Sequence, residues 1–173
     1  MNSLTRHRRS VIVAGLAALL LALSGTLSTA SAATTYWTFK SSHNGRCLTG
    51  SSSGAVWVAS CNGGSSQQWD WVGTGRSYLG QSYHMLKNRA AGECLMTDFK
   101  TDRNSVWLSA CDGDEVGLWW SNDVPNQLDL YSSTNSLRVS PSGSDAVYTS
   151  DWLVDENAYG IPYSSHSWSR SHT

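Results

Sequence analysis

Val56-Trp57-Val58-Ala59-Ser60-Cys61 returns as Val106-Trp107-Leu108-Ser109-Ala110-Cys111, an offset of 50 residues. Upstream, Arg46-Cys47-Leu48 aligns with Glu93-Cys94-Leu95. Downstream, Trp69 and Trp119 each follow the second cysteine by eight residues. A third, eroded copy carries Ser136-Leu137, then Val147-Tyr148-Thr149-Ser150-Asp151-Trp152, and Trp168 falls 49 residues after Trp119. A repeat of this period means units that cannot bury their apolar faces alone and must share a core.

Each copy holds short alternating runs broken by turn residues. Phe39-Lys40 precedes His43-Asn44-Gly45, Met85-Leu86-Lys87 precedes Ala91-Gly92, and Leu128-Asp129-Leu130 precedes Ser132 to Asn135. Runs of this length and alternation read as strands, and no window sustains a helical period. The expectation is an all-β body of three pseudo-repeats with about four strands each, closed so that no strand edge stays open. Alternation turns Val56, Val58, Val106 and Leu108 to the core and sends Trp57, Trp107 and Tyr148 to the other face. Trp69, Trp119 and Trp168, at the repeat ends, are expected inside.

The chain has 173 residues. Residues 1–32 read as an export signal: Arg6, His7, Arg8 and Arg9, then an apolar run Val11 to Leu23, then Ala30-Ser31-Ala32. Arg8-Arg9-Ser10-Val11-Ile12 also fits a twin-arginine pattern. Residues 33–173 form one domain, with lobes at about 36–80, 81–125 and 126–173, and no membrane span is expected after cleavage. Without Arg6, Arg8 and Arg9 the chain has 9 basic against 13 acidic residues, which argues against a nucleic-acid partner. Export puts Cys47, Cys61, Cys94 and Cys111 in an oxidising place. Three connectivities are possible, and the repeat favours Cys47–Cys61 and Cys94–Cys111. A zinc site is disfavoured by the lack of a CxxC pair, and no metal or cofactor is expected.

With these residues in hand, the sequence resembles the ricin B-type β-trefoil family, which includes lectins and carbohydrate-binding modules of bacterial glycanases. Cys47-Leu48, Val56 to Cys61 and Gln67-Gln68-Trp69 carry the resemblance, the last through the family's Gln-x-Trp mark. Gly117 and His166 take the Gln place in the other copies. The resemblance implies a single-domain β-trefoil. It also implies a sugar pocket in each lobe, with an Asp two residues after the first Cys. Here Thr49, Met96 and Val139 are read at those places. The stacking aromatic is replaced by Ala59, Ser109 and Ser150, and the usual Gln before it by Trp57, Trp107 and Tyr148. Gln67 is the remnant of a sugar-lobe position. A carboxylate accepting from sugar hydroxyls is a strong directional contact, and its loss argues against standard galactose recognition.

The candidate contact residues are therefore the repeated aromatics Trp57, Trp107 and Tyr148. Tyr159 and Tyr163 join them, from a third-copy insertion read as a long loop over Asp155 to Tyr163. No GxSxG or spaced carboxylate pair points to an enzyme, and Asp112-Gly113-Asp114-Glu115 lacks a calcium loop's spacing. The expected role is non-catalytic recognition outside the cell. The missing Asp favours a protein-binding adaptor or accessory subunit of an extracellular assembly, toxin-like or adhesin-like. The lack of an attached catalytic domain fits a partner made as a separate chain. The alternative is a carbohydrate-binding lectin with a non-standard aromatic site, and a secreted inhibitor is third.

Overall fold

The computed structural model describes residues 35–172, apart from residue 99 and residues 122–125. The export signal expected over 1–32 lies outside the described residues. The first four strands are β1 (Trp37–Ser41), β2 (Cys47–Gly50), β3 (Val56–Ala59) and β4 (Trp69–Tyr78). The next four are β5 (Gln81–Asn88), β6 (Cys94–Thr97), β7 (Val106–Ser109) and β8 (Leu118–Ser121). The last four are β9 (Leu128–Leu130), β10 (Asn135–Val139), β11 (Val147–Asp151) and β12 (Trp168–His172).

Six strands form a ring. β1 pairs antiparallel with β12 and with β4, β4 with β5, β5 with β8, and β8 with β9. The amide of Trp168 donates to Asn126 O at 2.7 Å and joins β12 to the approach to β9. The other six strands form three antiparallel hairpins, β2–β3, β6–β7 and β10–β11, which cap one end. The hairpins hold one another head to tail. Leu108 N donates to Gly54 O at 2.8 Å, Thr149 N to Asn104 O at 3.1 Å, and Val58 N to Asp145 O at 2.8 Å. A six-stranded ring capped by three hairpins is a β-trefoil.

The repeat predicts the interior well. Phe39, Leu48, Val58, Leu86, Leu95, Leu108 and Leu137 are buried with Trp69, Trp119 and Trp168. Val56 and Val106 are partly buried against them. Each tryptophan donates its indole N–H to the carbonyl of the leucine after the first cysteine position. The distances are 3.1 Å for Trp69 to Leu48, 2.8 Å for Trp119 to Leu95 and 2.8 Å for Trp168 to Leu137. A buried indole thus keeps its large apolar area and loses no hydrogen bond. The cystines are Cys47–Cys61 and Cys94–Cys111, with 5.1 Å between Cα atoms in both.

One expectation is corrected. The third-copy insertion is not a long loop, because Trp152–Tyr159 is a helix, α1. Asp151 caps its N-terminus by accepting from Leu153 N at 2.9 Å and Val154 N at 3.3 Å. Gly160 closes it in the left-handed conformation (φ 63°), and Pro162 follows two residues on. The helix has no clear apolar stripe and buries mainly Asp155, so its pattern looked like none. Among the described residues no helix is long and apolar enough to cross a membrane.

Candidate functional site in the third lobe

The strand registers fix which residues are equivalent. Thr49 faces Trp57, Met96 faces Trp107, and Arg138 faces Tyr148. The third-lobe partner of Thr49 and Met96 is therefore Arg138, and the reading of Val139 at that place is corrected by one residue. The slip matters, because it turns the side chain from the core to the pocket side.

In lobe one the position is closed. Gln67 is buried, and its Nε2 donates to Ser60 O at 2.9 Å and Thr49 Oγ1 at 3.2 Å. Its Oε1 accepts from Asn62 N at 2.8 Å. The remnant Gln holds the turn after the cystine and has no free group for a ligand. In lobe two Met96 fills the same space. A Cβ on Gly117 would stand 2.4 Å from Met96 Sδ and 2.7 Å from Met85 Cε, so the thioether and a Gln side chain exclude each other.

In lobe three the place is occupied from within. Asp155 of α1 puts Oδ2 2.7 Å from Arg138 Nε, 2.5 Å from Ser150 Oγ and 3.1 Å from His166 Nε2. Arg138, Ser150 and His166 stand at the three positions read as sugar anchor, stacking platform and Gln. A carboxylate of the chain itself fills the pocket, and the buried ion pair is balanced by the two further donors. Burial holds the His166 ring down at about 4, against a smaller opposing pull from Asp155. The ring is then neutral, so Nε2–H donates to Asp155 and Nδ1 accepts from Ser136 Oγ, 2.8 Å away. Burial also lowers the Arg138 guanidinium, and Asp155 opposes this.

Ser136, His166 and Asp155 therefore form a Ser–His–Asp line. Their exposures are 0%, 0% and 3%, so no substrate reaches the hydroxyl, and the line binds α1 to the lobe.

The predicted contact residues fall in different settings. Trp57 and Trp107 are half-buried where neighbouring hairpins meet, bridged to Ala146 and Ala55. Trp107 packs against the cluster of Met85, Met96 and Leu118. Tyr148 is half-buried, with Arg103 Cζ 5.1 Å and Arg138 Cζ 5.2 Å from its ring centre. Tyr159 is exposed and donates its hydroxyl to Asp102 Oδ2 at 3.2 Å. Tyr163 meets Trp152 edge to face, 5.5 Å between ring centres.

Arg103 and Arg138, which stand by the Tyr148 ring, share a cleft with Tyr159. Arg138, Asp155, Tyr159 and Ile161 line a cleft of about 560 Å³ with Thr101, Asp102 and Arg103. The composition is an exposed aromatic rim over two carboxylates, two guanidinium groups and the Thr101 hydroxyl. Arg103, Asp102 and Asp155 were missed as site residues. Asp151, Gly160 and Pro162, which mark the helix that builds the cleft, were visible in the sequence.

No family model matches the chain, and no curated protein matches it in sequence. Solved structures do match it in fold. A designed threefold-symmetric protein, ThreeFoil, superposes with TM-score 0.61 at 24% identity over 78% of this chain and 96% of its own. A ricin B-like lectin from Macrolepiota procera, solved with lactose, gives 0.56 at 15% identity over 79% and 94%. The C-terminal half of an earthworm R-type lectin, solved with GalNAc, gives 0.55 at 11% identity over 80% and 99%.

Proposed function

We infer that this ricin B-like β-trefoil is a carbohydrate-recognition module with its binding face in the third lobe. Three lobes share the fold, and two have closed the family's sugar position with Gln67–Thr49 and Met96. In the third, α1 fills that position and sets a wider cleft outside it. The observation that carries the reading is Tyr159, an exposed ring held by Asp102 at the mouth of a cleft lined by Arg103 and Arg138. An aromatic face beside fixed donors and acceptors suits a sugar ring, which has an apolar face and a polar edge. Two cystines suit work in an oxidising place outside the cell. A glycan array followed by calorimetry tests this. Tyr159→Ala and Asp102→Ala should each weaken the best ligand about tenfold. Full affinity in Tyr159→Ala overturns the reading.

A second reading, the protein-binding adaptor, rests on one feature. Leu79, at the tip of the β4–β5 hairpin, is 84% exposed at φ 49°, next to the partly exposed Tyr78. An apolar side chain held out on a strained turn suits a protein partner. Co-purification with and without Leu79→Ser tests it. Recovery of the monomer alone overturns it.

A further inference from the structure

A second cleft lies at the other end of α1. Its volume is about 170 Å³, and Tyr83, Gln127, Asp129, Asp151 and Trp152 line it with the hydroxyl residues Ser133 and Thr134. The strand registers show what it replaces. Lys40 faces Cys47, Lys87 faces Cys94, and Asp129 faces Ser136. Lobes one and two thus hold a lysine beside a cystine where lobe three has a carboxylate beside a serine. Trp152 stands at the second cysteine position. The hollow therefore lies where lobe three has no cystine, and its wall carries a negative charge at the register position of Lys40 and Lys87.

We propose that this hollow binds a vicinal diol of one pyranose ring, with Asp129 accepting from the hydroxyls and Gln127 donating to them.

Gln127 supplies the first argument. It is 4% exposed, and its Nε2 has no hydrogen-bond partner. A buried N–H without an acceptor costs free energy that a ligand oxygen would recover. Asp129 supplies the second. No cation pairs with it among the described residues, and burial raises its carboxyl to about 6. Asp151, the other acid on the wall, already accepts two helix amides. One lone acceptor and one lone donor in the same hollow call for a ligand that both donates and accepts. Neighbouring sugar hydroxyls do this. An alkylammonium would suit Asp129 and the aromatic wall but would leave Gln127 unpaired. The volume is below the ~300 Å³ of oligosaccharide-sized and drug-sized pockets, so it limits the ligand to one ring. Trp152, braced by Tyr163, and the buried Tyr83 give the apolar wall for its C–H face.

The site is separate from the Tyr159 cleft and does not need it. The test is side-chain amide NMR of the wild-type chain, titrated with methyl glycosides of galactose, glucose, mannose and N-acetylglucosamine, and with tetramethylammonium. At least one glycoside should shift the Gln127 Nε2 pair and the Trp152 indole at millimolar concentration, in wild type and in Tyr159→Ala. Asp129→Ala should weaken that binding at least about tenfold. The proposal is overturned if no glycoside moves Gln127, if only tetramethylammonium does, or if the shift survives Asp129→Ala. Trp152→Ala gives a second check on the wall, because its loss should also abolish the shift.

Discussion

The ring nitrogen Nε2 of His166 lies 3.1 Å from Asp155 Oδ2, and this contact binds the approach to β12 to helix α1. In lobe one the same region is held by the neutral bonds of Gln67 to Thr49, Ser60 and Asn62, and in lobe two by the packing of Met96. Lobe three joins the same region through Arg138, Ser150, His166 and Asp155.

Acid should loosen this contact. The folded His166 has a pKa of about 4 against 6.5 in the unfolded chain, so below pH 6.5 the unfolded chain takes up a proton that the folded one refuses. The stabilisation is complete above pH 6.5 and is lost as pH falls towards 4, by about 2–3 kcal/mol in all. Thermal melts from pH 7 to 4 check this. In His166→Gln the acid-dependent part should shrink, and an unchanged pH slope would refute the assignment.

Asp129 pulls the other way. Its folded pKa is about 6 against 3.8, so the folded chain takes up the proton first and gains stability as pH falls from 6 to 3.8. Asp129→Asn should therefore raise stability at pH 7 by about 1–2 kcal/mol. It should also steepen the acid loss that His166 causes. A lower melting temperature at pH 7 would contradict this.

The cystines should matter in proportion to the loops they close. Cys94→Ser should cost about 3 kcal/mol and leave Cys111 as a titratable thiol. Denaturant melts and thiol counting on the folded protein check both.

Gly117 and Met96 should be coupled. Gly117→Gln alone drives a side chain into Met96 Sδ and should cost about 2–3 kcal/mol. With Met96→Thr added, the lobe-one arrangement of Gln67 and Thr49 becomes available, and more than half of that loss should return. A double-mutant cycle by denaturant unfolding measures the coupling, and simple additivity would refute it.

The fold was legible because the repeat is written in large residues at fixed spacing. Trp69, Trp119 and Trp168 mark equivalent points, and each Leu that receives an indole bond lies beside a cysteine or its serine replacement. The third-lobe site was less legible. Helix α1 buries a charge rather than an apolar stripe, so periodicity missed it, although Asp151 and Gly160 gave its two ends. Arg138 was legible, because matching Ser136-Leu137 to Cys47-Leu48 and Cys94-Leu95 places it beside Thr49 and Met96, and reading Val139 there miscounted by one residue. The repeated rings looked like platforms because a sequence shows which face a side chain takes, but not that Met96 packs on Trp107 or that Arg103 and Arg138 stand over Tyr148. Asp129 and Gln127 lie on strand β9 and its approach, remote in sequence from the helix that completes their hollow.

The head-to-tail bonding of the hairpins makes the lobes interdependent. Each of Gly54, Asn104 and Asp145 supplies a carbonyl to the next hairpin, and the third bond returns to the first. A fragment holding lobes one and two would keep a single latch of the three, from Leu108 to Gly54. Unfolding should therefore be all-or-none across the cap, and a protease that cuts one turn should release the whole trefoil rather than a stable part of it.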